Sequence, residues 1–346
     1  MNPPAAVVPI PPDLTARYSR SSSGRAWLAS LPDLIQGRLE QWCLEADLPA
    51  GSVPWNGHGG VVVPVRQADG SPAALKIAFP HDEARVERHA LELWQGQGAV
   101  ALLEADAGTC AMLLERLEAG SSLATVPFDA AAEVWGGLVR QLSLSPDHRP
   151  QWREFDHIAA RAEQWSDDLP ADWEQLGRPF PRWLLEAALE VCQTRGAVGR
   201  RSGRDALVHT DLHFLNVLAR PGRTDGRPTA AGYAAIDPQP MIGEPEYAVA
   251  PLLWNRISEL PAGGAAEALR RRCSDFSAAA ALDGEVARQW AVAREVANAL
   301  EYAGKPGHRG DLSRSLWVAS TLAGRTLPDL PPAQELPEPG EAFGNR

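Results

Sequence analysis

The stretch VHTDLHFLNVL, Val208 to Leu218, sets His209, Asp211 and Asn216 in the pattern H-x-D-x-x-x-x-N between two short β-like runs. A carboxylate and a carboxamide on so short a loop are held at a fixed separation. Beyond Asn216 a strand VLA, a turn RPGRTDGRP and a returning strand YAAI lead to Asp237. A hairpin returns its last residue beside its first, so Asp237 is expected next to Asn216. A lone Asp in a loop is most often a cap or turn residue. The strand-flanked string, followed at hairpin distance by Ile236-Asp237-Pro238, is a much rarer arrangement.

This set suits phosphoryl transfer. That reaction needs a carboxylate to orient the attacking hydroxyl and oxygen ligands for Mg²⁺, and the kinase catalytic loop has this Asp-to-Asn spacing. Asp211 is then the candidate catalytic base. Asn216 and Asp237 are hard-oxygen candidates for sharing the metal.

Upstream, VVVPVR, the turn QADGS and PAALKIAF read as a hairpin, with Asp69-Gly70 at its tip. Lys76 lies in the second strand after Ala-Leu, as an ATP-phosphate lysine does in V-A-I-K. The composition singles it out. Of 33 basic residues only two are lysines, Lys76 and Lys305. A lysine that survives where arginine is otherwise preferred has a use for a compact point charge. The plainer reading of Lys76 is an edge-strand gatekeeper. His81-Asp82-Glu83 opens a helix, with Asp82 as its expected cap. Glu87 on that helix is the expected ion-pair partner of Lys76, with Glu83, one turn earlier on the same face, as its rival. The loop Trp55-Asn56-Gly57-His58-Gly59-Gly60 stands where a phosphate-covering flap would lie, with Gly59 and Gly60 as candidates, although it is not G-x-G-x-x-G. Leu113-Leu114-Glu115-Arg116 ends the last strand of this region. Glu115 and Leu117 are the candidate adenine-binding hinge; a simple linker is the alternative.

The chain has 346 residues, 45% hydrophobic and 22% charged, enough to bury one large or two ordinary cores. Its formal net charge of −11 argues against nucleic acid or an anionic membrane as partner and is compatible with a cationic small molecule. The four cysteines, Cys43, Cys110, Cys192 and Cys273, are far apart and form no C-x-x-C pair. With no signal peptide read and no apolar run near 18 residues, a cytoplasmic monomer is expected. Residues 1–12 read as a flexible arm. Helical patterning begins near Asp13 and recurs from Gly24 to Glu45, with Trp27, Leu31, Ile35, Leu39 and Trp42 at helical spacing. Residues 13–116 form a small β-rich, ATP-binding lobe. Residues 117–327 form a larger, mainly helical lobe interrupted by one hairpin, with the catalytic loop and acceptor site. Residues 328–346 form a Pro-rich tail, extended or disordered. The fold class is α+β.

Together, PDLTARYSRSSSGRAWLASLP, ALKIAFPHDEARVERHALELW, MLLERL, HTDLHFLNVL and AIDPQPMIGEPEYAVAPLLWNR resemble the streptomycin 6-phosphotransferase and hydroxyurea phosphotransferase family. This is a branch of the aminoglycoside phosphotransferases with a protein-kinase-like, two-lobed fold. The resemblance spans roughly residues 11 to 325. It implies ATP- and Mg²⁺-dependent phosphorylation of a hydroxyl on a small molecule. It also implies Asp211 as base, Asn216 and Asp237 on the metal, and Lys76 with Glu87 at the ATP phosphates. In one respect the chain departs from its wider superfamily. Where many relatives carry Y-D-L-A, with the Asp buttressing the catalytic loop, this chain reads Tyr247-Ala248-Val249-Ala250. Another group must support the loop, or it is looser.

The acceptor expected is a cationic aminocyclitol such as streptomycin. Hydroxyurea or another small hydroxylated metabolite is the alternative, and a nucleotide-binding pseudokinase a more distant one. At 100° per residue, Glu295, Asn298 and Tyr302 share one helix face, with Glu301 beside it. This face could present acceptors to ammonium or guanidinium groups. Trp254, Asn255 and Arg256 are the rival lining, and an ordinary solvated face is the plain reading.

Overall fold

The computed structural model describes residues 8–49, 51–57, 59–196, 204–222 and 228–340, apart from the side chains of Asp82 and Glu83. His58 and most of the RPGRTDGRP turn therefore lie outside the described residues, as does the side chain of Glu83. The chain divides into two compact units, Met1–Glu118 and Ala119–Arg346.

In the first unit, helices α1 (Pro12–Tyr18) and α2 (Ser22–Gln41) precede the sheet. Ser21 caps α2, accepting from Gly24 N–H at 3.0 Å. Trp27, Leu31, Ile35 and Leu39, spaced by four, form one buried stripe. The stripe packs with Val8, Leu14 and the inner face of the sheet, so the chain is already in this core four residues before α1 begins. Helical patterning persists to Glu45, but α2 stops at Gln41. Cys43 takes a φ of 52°, and β1 (Glu45–Ala46) turns out to pair with Arg66 and Val65. A left-handed residue ends a helix whatever the apolar spacing beyond it.

The sheet adds β2 (Trp55–Asn56), β3 (Gly60–Arg66), β4 (Pro72–Ala78), β5 (Leu102–Asp106) and β6 (Ala111–Glu115). Its order is β1-β3-β4-β6-β5, with β2 also on β3. Alternation puts Val61, Val63, Val65, Leu75 and Ile77 in the core with α2. Lys76, opposite Val62 and Met112, points to the other face. Helix α3 (Asp82–Trp94), between β4 and β5, supplies its partner there. His81, rather than the expected Asp82, caps α3: its Nδ1 accepts from Ala84 N–H at 3.1 Å, and Asp82 is already the first helical residue.

The second unit begins with β7 (Glu118–Ser122), α4 (Phe128–Leu142), α5 (Ile158–Gln175) and α6 (Arg182–Arg195). Four short strands follow: β8 (Ala206–His209), β9 (Val217–Ala219), β10 (Tyr233–Ala235) and β11 (Pro240–Gly243). The unit closes with α7 (Ala250–Trp254), α8 (Ala265–Ala279), α9 (Gly284–Ala303) and α10 (Arg309–Leu322). The expected hairpin is β9–β10, but β7 joins it as a third strand, and β8 pairs separately with β11. Neither extra strand advertises itself. β7 is EAGSS, largely exposed, and β11 is PMIG, four residues opening on a proline.

One core joins α5, α6, α9 and α10 through residues such as Leu169, Leu184, Val296 and Leu316. Gly136 of α4 permits a close crossing of α8, since a Cβ there would lie 2.4 Å from the Ala279 carbonyl. Residues 328–340 are not loose. A single 3₁₀ turn over Ala333–Glu335 buries Ala333, and Leu336 is buried after it. Prolines prevent helix here, but the apolar residues between them still find a surface.

Candidate active site

In the first unit, Lys76 and Glu87 are both buried, 8% and 4% exposed. Lys76 Nζ lies 2.6 and 2.7 Å from the two Glu87 carboxylate oxygens. The strand face and the helix face thus meet as the sequence suggested. Lys305, in contrast, pairs with Glu301 one turn away on the surface.

The flap glycines have a structural duty. A Cβ on Gly60 would come within 2.5 Å of the Ile77 carbonyl, so the first residue of β3 must be glycine to lie against β4. Gly59 accepts from Phe79 N–H at 2.8 Å, which fixes the turn before β3. Glu115 is tied to the start of the neighbouring strand: its carboxylate accepts from Ala101 N–H at 3.0 Å, and its own N–H donates to the Ala101 carbonyl at 2.9 Å. Leu117 is buried.

In the second unit, β8 ends at His209 and the loop to β9 carries Asp211 and Asn216. Asn216 Nδ2 donates to the Asp211 carbonyl at 2.9 Å and to Asp211 Oδ2 at 3.3 Å. The amide nitrogen is thereby turned to the loop, and Oδ1 is the end left to accept. Val217 pairs with Ala235, and Ile236 N–H donates to the Asn216 carbonyl at 2.9 Å. The hairpin therefore returns Asp237 to Asn216. Asp237 adopts a left-handed φ of 51°, a conformation that aspartate tolerates better than most residues. A carboxylate and an amide oxygen are the hard donors that Mg²⁺ takes, with phosphates and water completing its shell. The residues fit that ion.

His209 acts as a latch. Its Nδ1 accepts from Asp211 N–H at 3.3 Å, so its Nε2 carries the proton and donates to the Ile236 carbonyl at 2.9 Å. The neutral ring joins the start of the loop to the residue before Asp237. Burial lowers its pKa to about 4, outweighing the nearby Asp211 and Asp237 carboxylates. His213, lowered too by burial, sits 3.7 Å from Asp211 Oδ2.

Aromatic rings lie beneath the loop. Trp135, fully buried on α4, donates from Nε1 to the Leu212 carbonyl at 3.0 Å. Phe214 meets Phe276 edge-on at 5.9 Å and Phe128 at 6.0 Å. These contacts pack the loop against α4 and α8. The sequence reading singled out none of these rings.

The two stretches expected as rival acceptor linings meet at Trp254 and Tyr302. Trp254 and Tyr302 stack with centroids 6.0 Å apart and planes 15° from parallel, and His308 also stacks with Tyr302, at 5.7 Å and 17°. Trp254 Nε1 donates to Ser315 Oγ at 3.0 Å. Asn298 Nδ2 donates to Glu295 Oε1 at 3.3 Å. Glu295 differs from the free carboxylate expected: it is 1% exposed, and burial raises its pKa to about 7 against the pull of Arg294 and Arg314. Helical phase put Glu295 on one face with Asn298 and Tyr302 but could not show that α7 and α10 pack against α9 there. Glu301 faces solvent with Lys305. Arg256 is committed to Glu259, at 2.6 Å and 2.7 Å, and stacks 4.0 Å over Phe128.

The profile of the aminoglycoside/hydroxyurea antibiotic resistance kinase family matches residues 42–304. The streptomycin 6-kinase of Streptomyces griseus is 35% identical over 298 residues, 84% of this chain and 90% of that protein. The hydroxyurea phosphotransferase of Kitasatospora aureofaciens is 33% identical over 326 residues, 92% of this chain and 87% of that one. The crystal structure of a macrolide 2′-phosphotransferase from Brachybacterium faecium superposes with a TM-score of 0.52 at 17% identity, covering 85% of this chain and 99% of that one. The chain belongs to the aminoglycoside/hydroxyurea antibiotic resistance kinase family. It has the two-lobed, protein-kinase-like α+β fold and is a small-molecule phosphotransferase acting on a hydroxyl group. Among the described residues no helix is long and apolar enough to cross a membrane.

Proposed function

We propose that this kinase transfers the γ-phosphoryl group of ATP to a hydroxyl of a cationic aminocyclitol, with streptomycin as the candidate acceptor, in the cytoplasm and as a monomer. The observation that carries the substrate is the 35% identity to the Streptomyces griseus streptomycin 6-kinase across 90% of that protein. The net charge of −11 favours encounter with a cation but cannot by itself hold one.

In this reading Asp211 orients the acceptor hydroxyl and takes its proton as the oxygen attacks phosphorus. His209 and Asn216 keep the carboxylate in place. Asn216 Oδ1 and Asp237 hold Mg²⁺, which when bound neutralises charge on the phosphates. Lys76, aligned by Glu87, takes the α- and β-phosphates. Gly59 and Gly60 cover them, and Glu115 and Leu117 flank the adenine. In this reading Trp254 and Asn298, both half-buried, contact the acceptor.

A second reading has its own support, the 33% identity to the Kitasatospora aureofaciens hydroxyurea phosphotransferase over 92% of this chain. One panel separates the two. Purified protein with Mg²⁺-ATP is offered streptomycin, other aminocyclitols and hydroxyurea, with ADP release and product mass as readouts. Streptomycin gaining one phosphate supports the first reading. Turnover with hydroxyurea alone replaces it with the second.

A further inference from the structure

The loop from Thr210 to Asn216 is held by His209 and Asn216, by Gln239 and Trp135, and by a charged group from a distant element. Arg294 projects from the middle of α9, its side chain 15% exposed. One guanidinium nitrogen donates to the Thr210 carbonyl. The other lies 3.7 Å from Asp211 Oδ1. The guanidinium carbon sits 5.4 Å over the Tyr247 ring. That ring is itself fixed, packed edge-on at 5.4 Å against Trp290, one turn earlier on α9. Trp290 in turn donates to Glu244 at 2.7 Å.

Ala248, the residue after Tyr247, has only a methyl group to offer. It lines a small, mostly apolar cavity with Val139, Leu142, Leu207 and Leu212. The Tyr247–Ala248 segment therefore presents a ring and a methyl group, and the charged hold on Thr210 and Asp211 comes from α9.

We propose that Arg294 is the positioning residue of the catalytic loop: its planar fork holds the Thr210 carbonyl and the Asp211 carboxylate together and so sets the direction in which Asp211 faces the acceptor. This rests on the reading of Asp211 as the base. An arginine suits the task, because one rigid side chain reaches a main-chain and a side-chain oxygen while stacking on an aromatic face. A lysine could serve only one of the two oxygens well.

The test compares Arg294→Met, Arg294→Lys, Asp211→Ala and the control Arg288→Met in the full-length enzyme. Arg288, also on α9, donates to the Leu322 carbonyl away from the loop. The acceptor is streptomycin, or hydroxyurea if only that turns over. Arg294→Met should lower kcat by about 10²-fold with KM for ATP little changed, the pattern of a group acting in the transition state. Arg294→Lys should fall between it and wild type. Amide hydrogen exchange, which needs no acceptor, should quicken at 209–216 in Arg294→Met and stay unchanged there in Arg288→Met. Unchanged exchange at 209–216 in Arg294→Met overturns the proposal, as does a kcat within threefold of wild type. A raised KM for acceptor at normal kcat does so too, by making Arg294 a substrate contact. Asp211→Ala separates the two ideas. If it is inactive while Arg294→Met is normal, only the positioning role fails; if Asp211→Ala is itself active, the reading of the base fails and takes this one with it.

Discussion

Asn216 Nδ2 donates to Asp211 twice over, to the main-chain carbonyl at 2.9 Å and to the carboxylate at 3.3 Å. The spacing of the motif is thus a hydrogen-bonded ring, and each residue sets the other's orientation. Asp211→Ala should lower kcat by about 10²–10⁴-fold, the usual contribution of a positioned base. ATP with Mg²⁺ should still raise the melting temperature of that variant. Near-normal turnover would remove Asp211 from the chemistry. Asp237→Ala should show the opposite pattern, with the Mg²⁺-ATP stabilisation itself lost.

The buried ion pair predicts an asymmetry between the two lysines. Lys76→Met takes the ammonium from a carboxylate that is 4% exposed, and breaking such a pair costs about 3–5 kcal/mol. Lys76→Arg should also weaken ATP binding, because a planar fork does not replace a point charge. Lys305→Arg should change stability by less than about 0.5 kcal/mol. Urea unfolding and KM for ATP check all three. Equal tolerance at both positions would dissolve the argument from lysine scarcity.

His209 should make the protein acid-sensitive. Its folded pKa of about 4 lies below the unfolded value of 6.5, so the unfolded chain binds more protons between them. The stability it contributes is therefore fully present above pH 6.5 and is lost as pH falls through about 4. In His209→Gln the stability difference between pH 7 and pH 4.5, from urea titrations, should shrink. An unaltered difference would mean that the ring is not held neutral.

Glu295 has the reverse sign. Its folded pKa of about 7 exceeds the model 4.5, so the folded protein binds the extra proton. That contribution is fully present below pH 4.5 and is lost as pH rises through about 7. Glu295→Gln, which mimics the protonated group, should flatten the decline in stability between pH 5 and pH 8. A decline as steep as that of wild type would show that the carboxyl ionises without penalty.

Trp254→Ala should raise KM for a cationic acceptor at least several-fold and leave KM for ATP alone, since the indole forms one end of the stack with Tyr302. Glu301→Ala should change neither, its carboxylate being occupied with Lys305 in solvent. A normal acceptor KM in Trp254→Ala would move the acceptor wall elsewhere.

What could be read in advance follows a physical divide. Short-range geometry was legible. The hairpin return to Asp237, the placing of Lys76 opposite the α2 core, and the pairing with Glu87 all follow from fixed periods of strand and helix. Long-range packing was not. Arg294 is one arginine among many, and nothing in its neighbourhood on α9 announces that Thr210 lies in reach. Glu295 and Trp254 were proposed on separate walls because helical phase places a residue on a face without saying which element covers it. The strands β7 and β11 escaped because short segments with exposed or proline-led sequences carry no alternation. The cap of α3 was misplaced by one residue, because His81 can accept a main-chain proton as readily as the adjacent Asp82.

The scarcity of lysine, joined to the burial of Lys76, gives the protein an unusually simple amine chemistry. Of the two lysine amines, an acylating reagent at mild pH meets that of Lys305 first, its side chain 50% exposed. Lys76 is 8% exposed and held by Glu87. Peptide-resolved acylation over time would therefore show a fast label at Lys305 and a slow one at Lys76. The rate of the slow one would measure, without spectroscopy or substrate, how often the Lys76–Glu87 pair opens.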